Sequence, residues 1–90
     1  DDTYLYASHI EWPIPSILTA VFSEDEQDEY NEEMEKALLL HKEYYSAPER
    51  INDPEGAISI PLTAMAVIAK QLSNYDLTID NEYIPDWIVN

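Results

Sequence analysis

Tyr30-Asn31-Glu32-Glu33-Met34-Glu35-Lys36-Ala37-Leu38-Leu39-Leu40-His41-Lys42-Glu43-Tyr44-Tyr45 is the stretch that decides the fold. Its apolar residues recur at steps of three and four: Tyr30, Met34, Ala37, Leu38, His41 and Tyr45 line one stripe, as an amphipathic helix requires. Leu39, Leu40 and Tyr44 widen that stripe, which predicts that the second half of the helix is enclosed on two sides. Upstream, Ser23 and Glu26 have the spacing of a capping box, and Glu24, Asp25 and Glu26 suit the positive end of a helix dipole. Lys36 and Lys42 come late, where cations suit the negative end. The reading is one helix over 24–46.

On the C-terminal side, residues 47–56 hold two prolines and the only glycine of the chain. They form a loop, with Asp53-Pro54-Glu55-Gly56 as a turn or a single helical turn. A second long helix is expected from Ala57 or Pro61 to Leu72, stopped by Ser73-Asn74. Leu62, Met65, Ala66, Val67, Ile68, Ala69 and Leu72 leave it almost no polar face, so it reads as the most buried element, with alanines at 64, 66 and 69 allowing close approach of neighbours. In residues 74–90, Leu77 and Ile79 alternate with polar residues, and the segment reads as an extended arm that packs its aromatics, among them Tyr83 and Trp87, back on the helices, with a last helical turn after Pro85. On the N-terminal side, Pro13-Ile14-Pro15 is expected to stop any earlier helix, making residues 1–15 a connector before a short helix over 16–22. The fold class is therefore all-α: a small bundle of two longer helices, shorter helices and an aromatic C-terminal arm, in a single unit over residues 1–90.

At 90 residues the chain buries only about 60–65% of the surface it exposes unfolded, so its core is thin. There is no cysteine, which removes disulfides and thiolate metal sites and is compatible with a cytoplasmic location. The longest mainly apolar run, Ala57 to Ala69, is broken by Ser59, Pro61 and Thr63 and falls short of the roughly 20 residues that a membrane crossing needs. The opening Asp1-Asp2-Thr3 is neither an initiator nor a signal peptide, and suggests a piece of something longer.

Nineteen Asp and Glu against four Lys and Arg give a formal charge of −15. Such a charge opposes nucleic-acid binding, which needs clustered cations, and disfavours an anionic membrane surface. It steers the chain toward cationic partners. Between Glu24 and Glu35, eight of twelve residues are acidic; on one helix Asp25, Asp28, Glu29 and Glu32 would share a face, and Glu29 and Glu33 would repel each other. That run is either a solvated helix start or a negative patch for a basic partner. The candidate partner-binding residues are Glu24, Asp25, Asp28, Glu29 and Glu32.

Catalysis finds little support. An exposed acidic run offers one uniform environment rather than two carboxylates with separated pKa values. It lacks the central glycine and ligand spacing of a calcium loop, and one glycine cannot build a phosphate cradle. His9 and His41 lie in separate segments without further ligands, so His41 reads as a partly buried, hydrogen-bonded core residue. No serine sits in a nucleophile elbow. Tyr44-Tyr45 and residues 83–87 could form an aromatic surface, but core packing is the simpler role. No enzyme activity, metal or cofactor is expected.

From Leu38 onward the sequence resembles the C-terminal part of the immunity protein 49 family of bacterial polymorphic toxin systems. The pieces that carry the resemblance are Leu38-Leu39-Leu40-His41-Lys42-Glu43-Tyr44-Tyr45, Asp53-Pro54-Glu55-Gly56, Pro61-Leu62-Thr63-Ala64-Met65-Ala66 and Glu82-Tyr83-Ile84-Pro85. It departs at Asn74-Tyr75, where the family tends to have a glycine-containing helix end. The resemblance implies an all-helical antitoxin that binds a toxin domain, often a nuclease, inside the producing cell, and a longer protein with further helices before this region. A nuclease must be basic near its substrate groove, so an acidic partner fits. The competing reading is a structural helical subdomain, completed by a missing N-terminal region or by self-association.

Overall fold

The computed structural model describes residues 2–85. Four α-helices follow in order: α1 (Asp2–Tyr6), α2 (Pro13–Val21), α3 (Gln27–Tyr45) and α4 (Ile60–Ser73), with no strand among the described residues. The all-α architecture with two longer helices is as the sequence predicts. The final turn expected after Pro85, and with it Trp87, lies outside the described residues.

The N-terminal connector is the largest departure. Helical backbone runs from α1 through a π-helical segment, Ala7–Glu11, into α2, and Trp12 keeps helical angles of φ −63° and ψ −30°. A proline at 13 would collide with the carbonyl four residues back in a regular helix. Here the preceding turn is widened, with the Trp12 N–H donating to Ala7 O at 2.8 Å, and a π turn of this kind is a known way of relieving such a conflict. Pro13 and Pro15 then occupy the opening turn of α2, where missing N–H groups matter least.

This nine-residue helix is central. Ile17, Ala20 and Val21 are all at most 1% exposed. α2 packs on both α3 and α4, whereas α3 and α4 meet only narrowly. The core closes with Tyr30, Met34, Ala37 and Leu38 from α3, Leu62, Ala66 and Ala69 from α4, and Tyr75 and Ile84 from the arm.

The start of α3 also differs from expectation. It begins at Gln27, not at 24, and the Ser23 hydroxyl donates back to Thr19 O at 2.7 Å instead of capping. The Tyr75 hydroxyl takes over: it donates to Ser23 O and accepts from the Glu26 N–H. A residue some fifty positions away thus does the work assigned to the capping box, and Asp25 is bent into the left-handed region at φ 57°.

α4 starts and stops as its sequence says. Ser59 is its N-cap, accepting from Leu62 N at 3.2 Å, and Pro61 sits in the first turn. Asn74 takes the left-handed conformation at φ 55°, while the N–H groups of Asn74 and Tyr75 close on Lys70 O and Ala69 O. This is a Schellman-type end in which asparagine does what glycine usually does, so the departure at Asn74 preserves the turn. The expectation that α4 is the most buried element fails: Leu62, Ala66 and Ala69 face the core, but Ile60 and Leu72 are 73% and 63% exposed. Leu39 of α3 is likewise 62% exposed. The thin core has too few partners to cover every apolar face.

The expectation about apolar length also needs correcting. By length and composition alone, the 20-residue stretch Pro54–Ser73 could cross a membrane. Within it, however, Ser59 is extended and the α-helix proper covers 14 residues, about 21 Å at 1.5 Å per residue against a hydrocarbon core of about 30 Å. Its apolar inner face belongs to the core of the bundle.

The arm, residues 74–85, runs beside α3 and is fastened at both ends. Asn31 is the first fastening: its Nδ2 donates to Asp76 O at 2.9 Å and its Oδ1 accepts from Thr78 N at 2.8 Å. Gln27 Oε1 accepts from Asp76 N at 2.8 Å, and Ser59 N donates to Tyr83 O at 2.8 Å at the far end. Asn31→Leu strands backbone groups of the arm and is expected to lower unfolding free energy by about 2–3 kcal/mol. The buried Tyr30 hydroxyl, by contrast, has no hydrogen-bond partner among the described residues, and burial pushes its pKa up to about 12. Tyr30→Phe is therefore expected to stay within about 0.5 kcal/mol of the wild type or exceed it; urea unfolding of both variants checks the contrast.

Candidate partner-binding surface

Two chemically distinct surfaces lie at opposite ends of α3. The first is the acidic start. Glu24, Asp25, Asp28, Glu29 and Glu32 are all exposed. The structure brings Asp28, Glu29 and Glu32 together on the first turns of α3, but Glu24 and Asp25 stand in the preceding bend and not on a helical face. Glu29 feels the crowding: a hydrogen bond with Glu26, then the charge of Glu26 and that of Glu32, hold its carboxyl above the ordinary value. Lys36 answers the end of the run, 3.3 Å from Glu33 and 3.6 Å from Glu32, and these carboxylates raise its pKa in turn.

The second surface surrounds the C-terminal end of α3. His41 is buried, as the sequence predicts, and its Nε2 lies 3.1 Å from Gly56 O. The ring is flanked by Tyr45 at 4.7 Å and Tyr83 at 4.8 Å between centroids. Gly56 is required here by space. A Cβ at that position would fall 2.9 Å from the Tyr45 Cβ, so the 54–56 turn can lie flat on α3 only without a side chain. Tyr44, on the other side, meets Tyr6 at 5.7 Å and carries the Arg50 guanidinium 4.1 Å above its ring. The tyrosines are thus half-buried, partly core and partly surface.

The acidic residues of this second surface, Asp53, Glu55 and Glu82, are ones that sequence reasoning passed over. They come from the 47–56 loop and the arm, and only the docking of both against α3 makes them neighbours. Among the described residues no group of three or more His, Asp or Glu side chains is placed to hold a metal ion.

The sequence matches the family model described as immunity protein 49 over residues 13–88. The chain belongs to the immunity protein 49 family. The match starts at the first residue of α2 and takes in α3, α4 and the arm, so it extends well beyond the region that carries the resemblance. No curated protein and no solved structure matches. Membership in an immunity family indicates a toxin-neutralising role and a cognate toxin as partner in general terms.

The His41 environment has a pH consequence. Burial among the two tyrosine rings disfavours the charged imidazole, and its bond to Gly56 O opposes this only partly, so the folded pKa lies below the ordinary 6.5. The unfolded chain then binds the proton more readily, and stability falls as pH drops below about 6.5 toward the folded value. Urea unfolding between about pH 5 and 8 should show wild type losing stability relative to His41→Gln as the solution is acidified. A gain relative to that variant would mean that the folded site accepts the proton.

Proposed function

We propose that this chain is a non-catalytic immunity protein that binds and neutralises a basic toxin domain, such as a nuclease, in the cytoplasm of the producing cell. The observation that carries the reading is the exposed, mutually repelling acidic run at the start of α3, in a member of an immunity family. Like charges crowded together raise the energy of the fold; Lys36 offsets the end of the run at Glu32 and Glu33, and a cationic partner relieves the remainder. A nuclease presents such cations because its substrate is polyanionic. The proposed contacts are Glu24, Asp25, Asp28, Glu29 and Glu32, which act by steering the partner and by screening its basic groove. Nucleic acid and anionic membranes are not partners in this reading, and no cofactor takes part.

A second reading, a helical subdomain that completes itself against another chain or a further part of its own protein, is favoured by the outward apolar side chains of α4, Ile60 and Leu72.

The test mixes the purified chain with the toxin domain encoded beside it. Association is expected to weaken between about 0.1 M and 1 M ionic strength, as the Debye length shrinks from about 10 to 3 Å. Changing Glu24→Lys, Asp28→Lys and Glu32→Lys together should slow association at low salt by at least about tenfold. Unchanged kinetics in the triple variant would remove these residues from the contact. No binding at either salt, with a dimer in sedimentation, would favour the subdomain reading.

A further inference from the structure

Two recesses lie side by side at the end of α3 away from the acidic run, and Tyr45 is the wall they share. The larger, about 450 Å³, is bounded by Tyr45, Tyr83, Asp53, Glu82 and Ile51, with Lys42 at its border. The smaller, about 260 Å³, is bounded by Tyr6, Ile58, Ile60 and Pro61, with Glu55 beside it. Their walls are held in place: His41 bonds the Gly56 carbonyl, Gly56 lies on Tyr45, and the Tyr83 carbonyl holds Ser59 N. Such fixed walls lower the ordering cost of binding.

The chemistry of the two recesses differs. Around the larger, carboxylates outnumber the single ammonium, and its rings offer flat faces. Burial, then the charges of Glu55 and Asp53, push the Tyr45 phenol up to about 12, and burial followed by Glu82 raises Tyr83, so both rings sit in a negative field. A guanidinium suits that setting better than an ammonium, because it stacks on aromatic faces and pairs with carboxylates through a planar fork. The smaller recess is mainly apolar, with Glu55, His41 and Ser59 also in its lining, and Ile58 and Ile60 there are 45% and 73% exposed. An apolar pocket inside a charged border is the usual anatomy of a binding hot spot.

We infer that this face is the anchor for a basic protein segment, with an arginine side chain seated between Tyr45, Tyr83, Asp53 and Glu82 and a neighbouring aliphatic side chain seated against Ile58, Ile60 and Tyr6. The inference rests on the toxin-binding reading for its natural partner, and it gives that reading a division of labour. The acidic run lies roughly 28 Å away, at the other end of a 19-residue helix. The run governs the rate of encounter, and the recesses govern the lifetime of the complex.

The experiment needs no toxin. The isotope-labelled 90-residue chain is titrated, at about 0.15 M ionic strength, with short capped peptides of alternating leucine and arginine, serine and arginine, or leucine and glutamate. The leucine–arginine peptide should shift the amides of Gly56, Ala57, Ile58 and Tyr83 saturably. The serine–arginine peptide should perturb residues 24–35 diffusely, and the leucine–glutamate peptide neither region. Glu82→Gln combined with Ile60→Ser changes two exposed side chains, and should weaken the leucine–arginine response at Gly56 at least about fivefold while leaving thermal unfolding in place. Leucine–arginine shifts confined to residues 24–35, an equal response to the leucine–glutamate peptide, or an unchanged response in the double variant would each overturn the anchor. Failure of the adjacent toxin to bind would sink the immunity reading while leaving the peptide result intact.

Discussion

The burial of Ile17, Ala20 and Val21 between α3 and α4 is the constraint on which the rest of the structure depends. The two long helices touch each other only narrowly, so neither can close a core with the other. α2 fills the space between them, and its three side chains reach exposures of 1% or less. Removing that much apolar surface from water is worth several kcal/mol at about 25 cal/mol per Å², a large part of what a domain of this size can gather. The Ser73 hydroxyl donates to Val21 O, tying the end of α4 to the end of α2. From there the positions of the acidic bend, the start of α3 and Tyr75 follow.

The arm is the second level of that hierarchy. It contributes Tyr75 and Ile84 to the core but has no regular hydrogen bonding of its own, so side chains of α3 satisfy its backbone. Asn31 and Gln27 serve it at one end, and Asn81 folds it locally by accepting from Tyr83 N and Ile84 N at the other. Its path carries Tyr83 to His41 and Glu82 to the rim of the larger recess. The polar residues Gln27 and Asn31, which lie outside the apolar stripe of α3, are what join the arm to the helix.

The stripe from Tyr30 to His41 and the stop at Ser73-Asn74 were readable in the sequence because each depends on neighbours within a few positions. Pro13 misled because its ordinary effect is to end a helix, whereas the π widening at Ala7–Glu11 absorbs it. Ser23 and Glu26 misled for a different reason: a tertiary partner, the Tyr75 hydroxyl, outcompeted a local one. Leu39 and Leu72 show that a wide apolar stripe does not mean enclosure in a chain with few helices to share. Of the candidate residues, all were rightly read as exposed, but the helical register of Asp25 was lost with the cap. The tyrosine recesses were invisible, since Tyr45, Asp53 and Tyr83 come from three separate segments and nothing local links them.

The charge distribution ties these levels together. A carboxyl whose folded pKa is raised, as at Glu29, is one whose ionisation the fold resists. Its contribution to stability is present at low pH and is lost as pH rises through the carboxylate range, so at neutral pH the acidic run opposes the compact state. The fold does little to relieve it: Lys36 serves the end of the run near Glu32 and Glu33, while Lys70 pairs with Asp76 at 2.6 Å and Arg50 lies at the other end of α3, over Tyr44. Positive charge brought up to Glu26, Glu29 and Glu32 from outside would offset that repulsion and return the Glu29 pKa toward its ordinary value. A basic partner is therefore favoured by removal of repulsion already present in the free protein, an effect that adds to whatever contacts it makes. This gain is long-ranged and screened by salt, unlike the shape-dependent gain available around Tyr45. One surface suits capture at a distance and the other retention at contact, and α2 holds the helix that carries both.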